Sequence, residues 1–88
     1  PVEMTVNTGI SMKSEIGIVQ TGTGSSIYVY EGEWTLTFAG NNKPSNASEA
    51  ASIAFGKSTT TWTDSKGYKF TITEKSGTYV LTIEAVRG

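Results

Sequence analysis

Eighty-eight residues, 36% of them hydrophobic and none of them Cys, are enough for one domain with a single apolar core and no disulfide or thiolate metal site. Seven Lys and Arg against eight Asp and Glu argue against the basic face of a nucleic-acid binder and against a polybasic membrane anchor. No apolar run approaches the length of a membrane span, and the lack of His removes the commonest general base and metal ligand.

Along the chain the dominant pattern is period-two alternation broken by turn residues, which predicts strands. At the N-terminus, Asn7-Thr8-Gly9 fits a three-residue loop pairing Val6 with Ile10 and Met4 with Met12. Ile16 and Ile18 continue the same even-numbered face. A four-residue loop at Thr21-Gly22-Thr23-Gly24 then sets Ile18 against Ile27 and Ile16 against Val29. Glu31-Gly32 reads as a two-residue hairpin loop pairing Tyr30 with Glu33, Val29 with Trp34 and Ile27 with Leu36. Cross-strand partners share a face, so Ile27, Val29, Trp34, Leu36 and Phe38 point to the core, and Tyr28, Tyr30, Glu33, Thr35 and Thr37 point away.

The connection from Ala39 to Ala50 is the one long one. Asn46 followed by Glu49 is a capping-box pattern, predicting a short helical turn near residues 46–51, with Pro44 keeping the preceding segment irregular. A turn at Gly56-Lys57 sets Ile53 opposite Thr60 and Ala51 opposite Trp62. A three-residue loop at Ser65-Lys66-Gly67 pairs Asp64 with Tyr68 and Trp62 with Phe70. A two-residue turn at Ser76-Gly77 pairs Ile72 with Leu81, Phe70 with Ile83 and Tyr68 with Ala85. The inward face collects Ile53, Phe55, Trp62, Tyr68, Phe70, Ile72, Tyr79, Leu81 and Ile83. Val19, Val80 and Val86 fall on the outer face.

The prediction is an all-β, up-and-down antiparallel meander of about eight short strands over residues 1–88. It closes as a barrel-like or two-sheet sandwich domain, the barrel being favoured because all connections but one are tight. Two Trp and three Phe on the chain predict a largely filled interior.

The motifs that resemble chemistry have simpler explanations. Thr21 to Ser26 is Gly-rich, but no Lys follows and a strand replaces the helix that a phosphate-cradling loop needs. Asn41, Asn42, Lys43 and Asp64 form no spaced acidic series for calcium, so no metal or other cofactor is expected. Asn46-Ala47-Ser48 is a glycosylation sequon, and the helix cap explains Asn46 without it. Glu31, Glu33 and Asp64 fit solvated hairpin ends better than an acid–base pair, so no catalytic residue is assigned. Gly32-Glu33-Trp34 matches the Gly-x-Trp spacing that opens lipocalin barrels, but it falls in the fourth predicted strand with only four to follow, and it assigns no family.

What remains is a surface feature. Tyr28 and Tyr30 point outward on one strand, with Glu33 beside Tyr30, and exposed paired aromatics stack on sugars or anchor a partner. The expected function is a non-enzymatic binding or structural β-module acting through surface contacts with a protein, a glycan or a second copy of the chain. Fourteen Thr, ten Ser and ten Gly with 17% charged residues point to a secreted, cell-surface or virion protein, hence an extracellular, envelope or virion location. The chain starts at Pro1, so a missing leader carries no information. The alternative reading is a small lipocalin-like barrel around an apolar ligand, which needs a continuous interior cavity of roughly 300 Å³ or more.

Overall fold

The computed structural model describes residues 1–85, which form eight strands, one helix and a 3-10 turn. In order these are β1 (Val2–Thr5), β2 (Ile10–Ser14), β3 (Val19–Thr21), β4 (Ser26–Val29), β5 (Gly32–Phe38), the 3-10 turn Gly40–Asn42, α1 (Ala47–Phe55), β6 (Thr61–Thr63), β7 (Tyr68–Lys75) and β8 (Thr78–Ala85). Val86 lies outside the described residues.

The C-terminal strands form where turn chemistry dictates. Ser76 (φ 52°) and Gly77 (φ 81°) both adopt left-handed backbone, the geometry of a tight two-residue hairpin, and Lys75 pairs with Thr78. That turn fixes Ile72 opposite Leu81, Phe70 opposite Ile83 and Tyr68 opposite Ala85. In the β6–β7 loop, Asp64 Oδ1 accepts from the Lys66 and Tyr68 N–H groups at 2.9 Å each, and Trp62 pairs with Phe70.

The N-terminal half is antiparallel too, but its strands choose distant partners. β5 lies between β2 and β8, giving a six-stranded sheet in the order β3-β2-β5-β8-β7-β6. β1 and β4 pair with each other as a separate ribbon, Val2 opposite Val29 and Met4 opposite Ile27. Three expected hairpins are thereby corrected: β1 does not pair with β2, β3 does not pair with β4, and β4 does not pair with β5. At Gly32 the chain leaves the ribbon and enters the large sheet instead of folding back, and the Trp34 indole N–H reaches back to the Tyr30 carbonyl at 3.0 Å. Burial survives this exchange of partners. Val29, Trp34 and Leu36 are buried because alternation fixes a side chain's face whichever strand lies beside it.

The stretch read as a strand from Ala51 is the second and third turns of a nine-residue helix. Asn46 Oδ1 accepts from the Glu49 N–H at 2.9 Å, and the Glu49 carboxylate accepts from the Ser45 N–H at 2.8 Å. Gly56, expected in a hairpin, is the left-handed C-cap (φ 68°): its N–H bonds Ser52 O, and the Lys57 N–H bonds Ala51 O. Ala50, Ala51 and Ala54 are fully buried, so the helix packs through small side chains.

One core joins both sheets and the helix, including Val2, Met12, Trp34, Ala54, Phe70, Leu81 and Ile83. Two links hold the covering layer together. Asn7 donates from its backbone and from its side-chain amide to Ala54 O and Ile53 O, tying the end of β1 to the helix C-terminus. Gly22 passes so close to Asn7 that a Cβ there would overlap the Asn7 carbonyl oxygen. The barrel is not formed. Both sheets are open, with β3 and β6 at the edges of the larger one, because the helix and ribbon supply the cover that closure would have supplied.

Candidate functional site

The described surface is mostly Thr, Ser and charged side chains, and five large apolar residues interrupt it: Ile16, Ile18, Val19, Tyr28 and Tyr30. Four of them gather at one end of the large sheet. Ile16 sits in the β2–β3 loop, where Ser14 N–H bonds Ile18 O at 2.8 Å, Gly17 (φ 92°) makes the left-handed turn, and Ser14 Oγ accepts from the Ile18 N–H. This places Ile16 at the loop tip, 81% exposed, which corrects the expectation that it faces the core.

Tyr30 follows β4 at the turn into β5 and is 68% exposed. A crevice of about 120 Å³ brings it together with Ile16, Ile18 and Trp34, rimmed by Glu15, Glu31 and Glu33. Among the described residues, Glu33 is the only one of the three with an ion-pair partner, Lys75 at 3.7 Å. Of the residues singled out from sequence, Tyr30 and Glu33 meet here, although Glu33 pairs with Thr82 and not with Tyr30. Tyr28 stands apart on the outside of the ribbon, opposite Glu3 and 63% exposed. Sequence reading missed Ile16, Ile18, Glu15 and Glu31. The signal was present: Glu15-Ile16-Gly17 reads as a three-residue turn with Gly in the left-handed position, which removes Ile16 from any strand.

The outer-face valines differ. Val19 is 56% exposed. Val80 lies on the outer face between Thr35 and Thr73 but is buried. The register places it under the diagonal joining Glu33 and Lys75, whose long side chains cross β8 to form their ion pair.

Two further depressions lie elsewhere on the described surface. Between β1 and β6 a cleft of about 210 Å³ holds Trp62, but Phe70 stacks on one ring face at 5.4 Å and Lys57 approaches the ring at 5.7 Å. There Glu3 accepts from Ser26 and pairs with Lys66, and Asp64 holds its own loop. Where β5 and β8 part beyond Leu36 and Tyr79, a broad depression of about 540 Å³ opens to solvent. Burial, followed by the nearby carboxylates of Glu74 and Glu49, pushes the Tyr79 phenol up, so it stays a neutral donor toward the Pro44 carbonyl at 3.5 Å. Among the described residues no three potential metal ligands stand together, and no helix is long and apolar enough to cross a membrane. The chain matches no family model, no curated protein and no solved structure.

Proposed function

We propose that this chain is a non-enzymatic binding module that recognises a protein partner through the surface around Tyr30, with Tyr28 a second exposed aromatic that stands apart on the ribbon. The observation that carries this reading is the apolar cluster of Ile16, Ile18 and Tyr30, left outside a core that already buries Trp34, Met12 and Ile10. Large aromatic and aliphatic groups next to a shallow crevice are the usual anchors of protein recognition. Glu15, Glu31 and Glu33 serve as its solvated rim, a role that needs no acid–base chemistry. The Thr-, Ser- and Gly-rich composition supports a secreted, surface or virion setting. Against the ligand-barrel alternative stand the open sheets and the solvent-open position of the depression of about 540 Å³ beside β5 and β8.

The test changes Tyr28 and Tyr30 together to Ser. Binding of wild type and variant is compared by peptide display, by glycan array, and by light scattering across a concentration series. We expect an unchanged fold and the loss of more than about 2 kcal/mol of binding to a selected protein segment. A variant that fails to fold would place the tyrosines in the core and remove the reading. Glycan binding alone, or self-association alone, would replace the protein partner.

A further inference from the structure

The crevice beside Tyr30 adjoins an unfinished sheet edge. The hydrogen bonds from Ser14 N–H to Ile18 O and from Gly22 N–H to Ile10 O bracket β3. Antiparallel strands alternate between residues that bond the neighbour and residues that do not. Ile18, Gln20 and Gly22 therefore turn their backbone groups toward β2, and Val19 and Thr21 turn theirs away. Among the described residues no strand lies on that side, because β3 ends the sheet. Proteins commonly shield such an edge with Pro, with charged residues or with a covering element. β3 carries none of the first two, and its Val19 is 56% exposed.

Charge selects the occupant. Glu15, Glu31 and Glu33 surround the crevice, and only Glu33 has a cationic partner among the described residues. A second copy docked on the same patch would set these glutamates against their equivalents. A nucleic acid would bring phosphates to the same carboxylates. A Lys- or Arg-bearing polypeptide meets both demands, the charge and the open backbone ladder.

We infer that an extended, cationic segment of a protein partner adds to the β3 edge and lays an apolar side chain into the Ile16–Ile18–Tyr30 crevice. The inference rests on the proposed role of the Tyr30 surface and adds to it the partner's conformation and charge. In this arrangement the partner's backbone bonds Val19 and Thr21. The residues flanking its bonded positions share the face of Ile18, which puts an apolar side chain next to the crevice. A basic residue beyond them reaches Glu15 or Glu31.

The probe is a capped peptide, Lys-Ile-Thr-Ile-Thr-Ile-Lys, titrated into the isotopically labelled full chain and followed by amide shifts. Two companion peptides separate the contributions: one with Glu in place of Lys, and one N-methylated at every Ile and Thr amide. We expect shifts concentrated at Val19, Thr21, Ile18, Glu31 and the Trp34 indole. Methylation should weaken binding about tenfold or more through lost backbone bonds. The Glu peptide should not bind, and the double variant Glu15→Gln/Glu31→Gln should bind the Lys peptide roughly fivefold more weakly at low salt, with the difference shrinking as salt rises. Tyr30→Ser should cost about thirtyfold. Equal binding of the methylated peptide, equal binding of the Glu peptide, or no shift at β3 overturns the inference. If Tyr30→Ser still weakens binding in those cases, the broader Tyr30 reading survives without the strand. If methylation and charge matter but Tyr30→Ser does not, the edge binds and the tyrosine reading fails.

Discussion

The two edges of the six-stranded sheet are finished in opposite ways. At the β6 edge, Trp62 lies parallel to Phe70 at 5.4 Å, Phe55 from the helix end tilts against it at 5.6 Å, and Lys57 approaches its ring. At the β3 edge, Ile16 and Val19 are mostly exposed and Ile18 is partly exposed. Apolar surface of the same kind is buried at one edge and withheld at the other. Burial contributes roughly 25 cal/mol per Å² of apolar area removed from water, so the β6 side carries stability. On the β3 side that burial is not made, and the partner proposed above would supply it. Substitutions should separate along this line, with the same change in side-chain size unfolding one end and leaving the other folded.

The strongest test of the stabilising end is Phe70→Ala. Phe70 is buried between Trp62 and Ile83, and such truncations cost about 3–5 kcal/mol, a large part of what a domain this small possesses. Urea unfolding followed by Trp fluorescence should show a largely unfolded variant. Trp62→Ala should cost less, about 2 kcal/mol, because Trp62 is only half-buried. A Phe70→Ala midpoint equal to wild type would contradict the packing of this end.

Next in size is Gly22→Ala. The overlap of an added Cβ is with backbone, which cannot swing aside as a side-chain tip can. A cost of about 1–3 kcal/mol is expected, in the range of overpacking, read as a lowered urea midpoint with an unchanged slope. Gly22 lies against the backbone of Val6 and Asn7, the segment after β1, so the overlap loosens the covering ribbon rather than the β6 edge.

The same division decides what the sequence can tell. In the C-terminal strands, Ser76-Gly77 and Asp64 to Gly67 fix register over two or three residues, and the pairings of Trp62, Phe70 and Ile83 follow from them. The inward residues of β5 are also legible, because parity does not depend on the neighbour. Partner choice does depend on it: β1 meets β4 and β2 meets β5 across long stretches of chain, and no local residue pattern encodes those meetings. Gly56 was ambiguous for a similar reason, since a left-handed Gly ends a helix as readily as it turns a hairpin. Of the candidate site, Tyr30 and Glu33 were visible from alternation. Ile16 was hidden by the assumption that an apolar residue in an alternating run belongs to a strand.

Asn46→Ala examines the helix that covers the stable end. The substitution removes the acceptor for the Glu49 N–H and disturbs the reciprocal bond from Ser45 to Glu49. Ser, Asn and Asp caps are worth about 1 kcal/mol against Ala, so the melting temperature should fall by about 4–8 °C. Asn46→Asp should restore most of it, because either side chain accepts the same bond. No change on Asn46→Ala would mean that packing of Ala50, Ala51 and Ala54 alone holds the helix.

The smallest effect on stability is expected from Ile16→Ser, and for that reason it sharpens the comparison most. Ile16 is a large apolar residue, and its removal from a core would cost several kcal/mol. Here the residue is 81% exposed, and the backbone bonds of its loop belong to Ser14, Gly17 and Ile18. The loop conformation therefore does not depend on the Ile16 side chain. Folding removes little of its surface from water, so truncation should shift stability by less than about 0.5 kcal/mol, or under about 4 °C in melting temperature. Solubility should rise, because an apolar group is lost from the surface. Binding to any segment seated beside Tyr30 should weaken. A large stability loss on Ile16→Ser would show that the loop packs back onto the sheet, and the apolar surface at this end would then belong to the core.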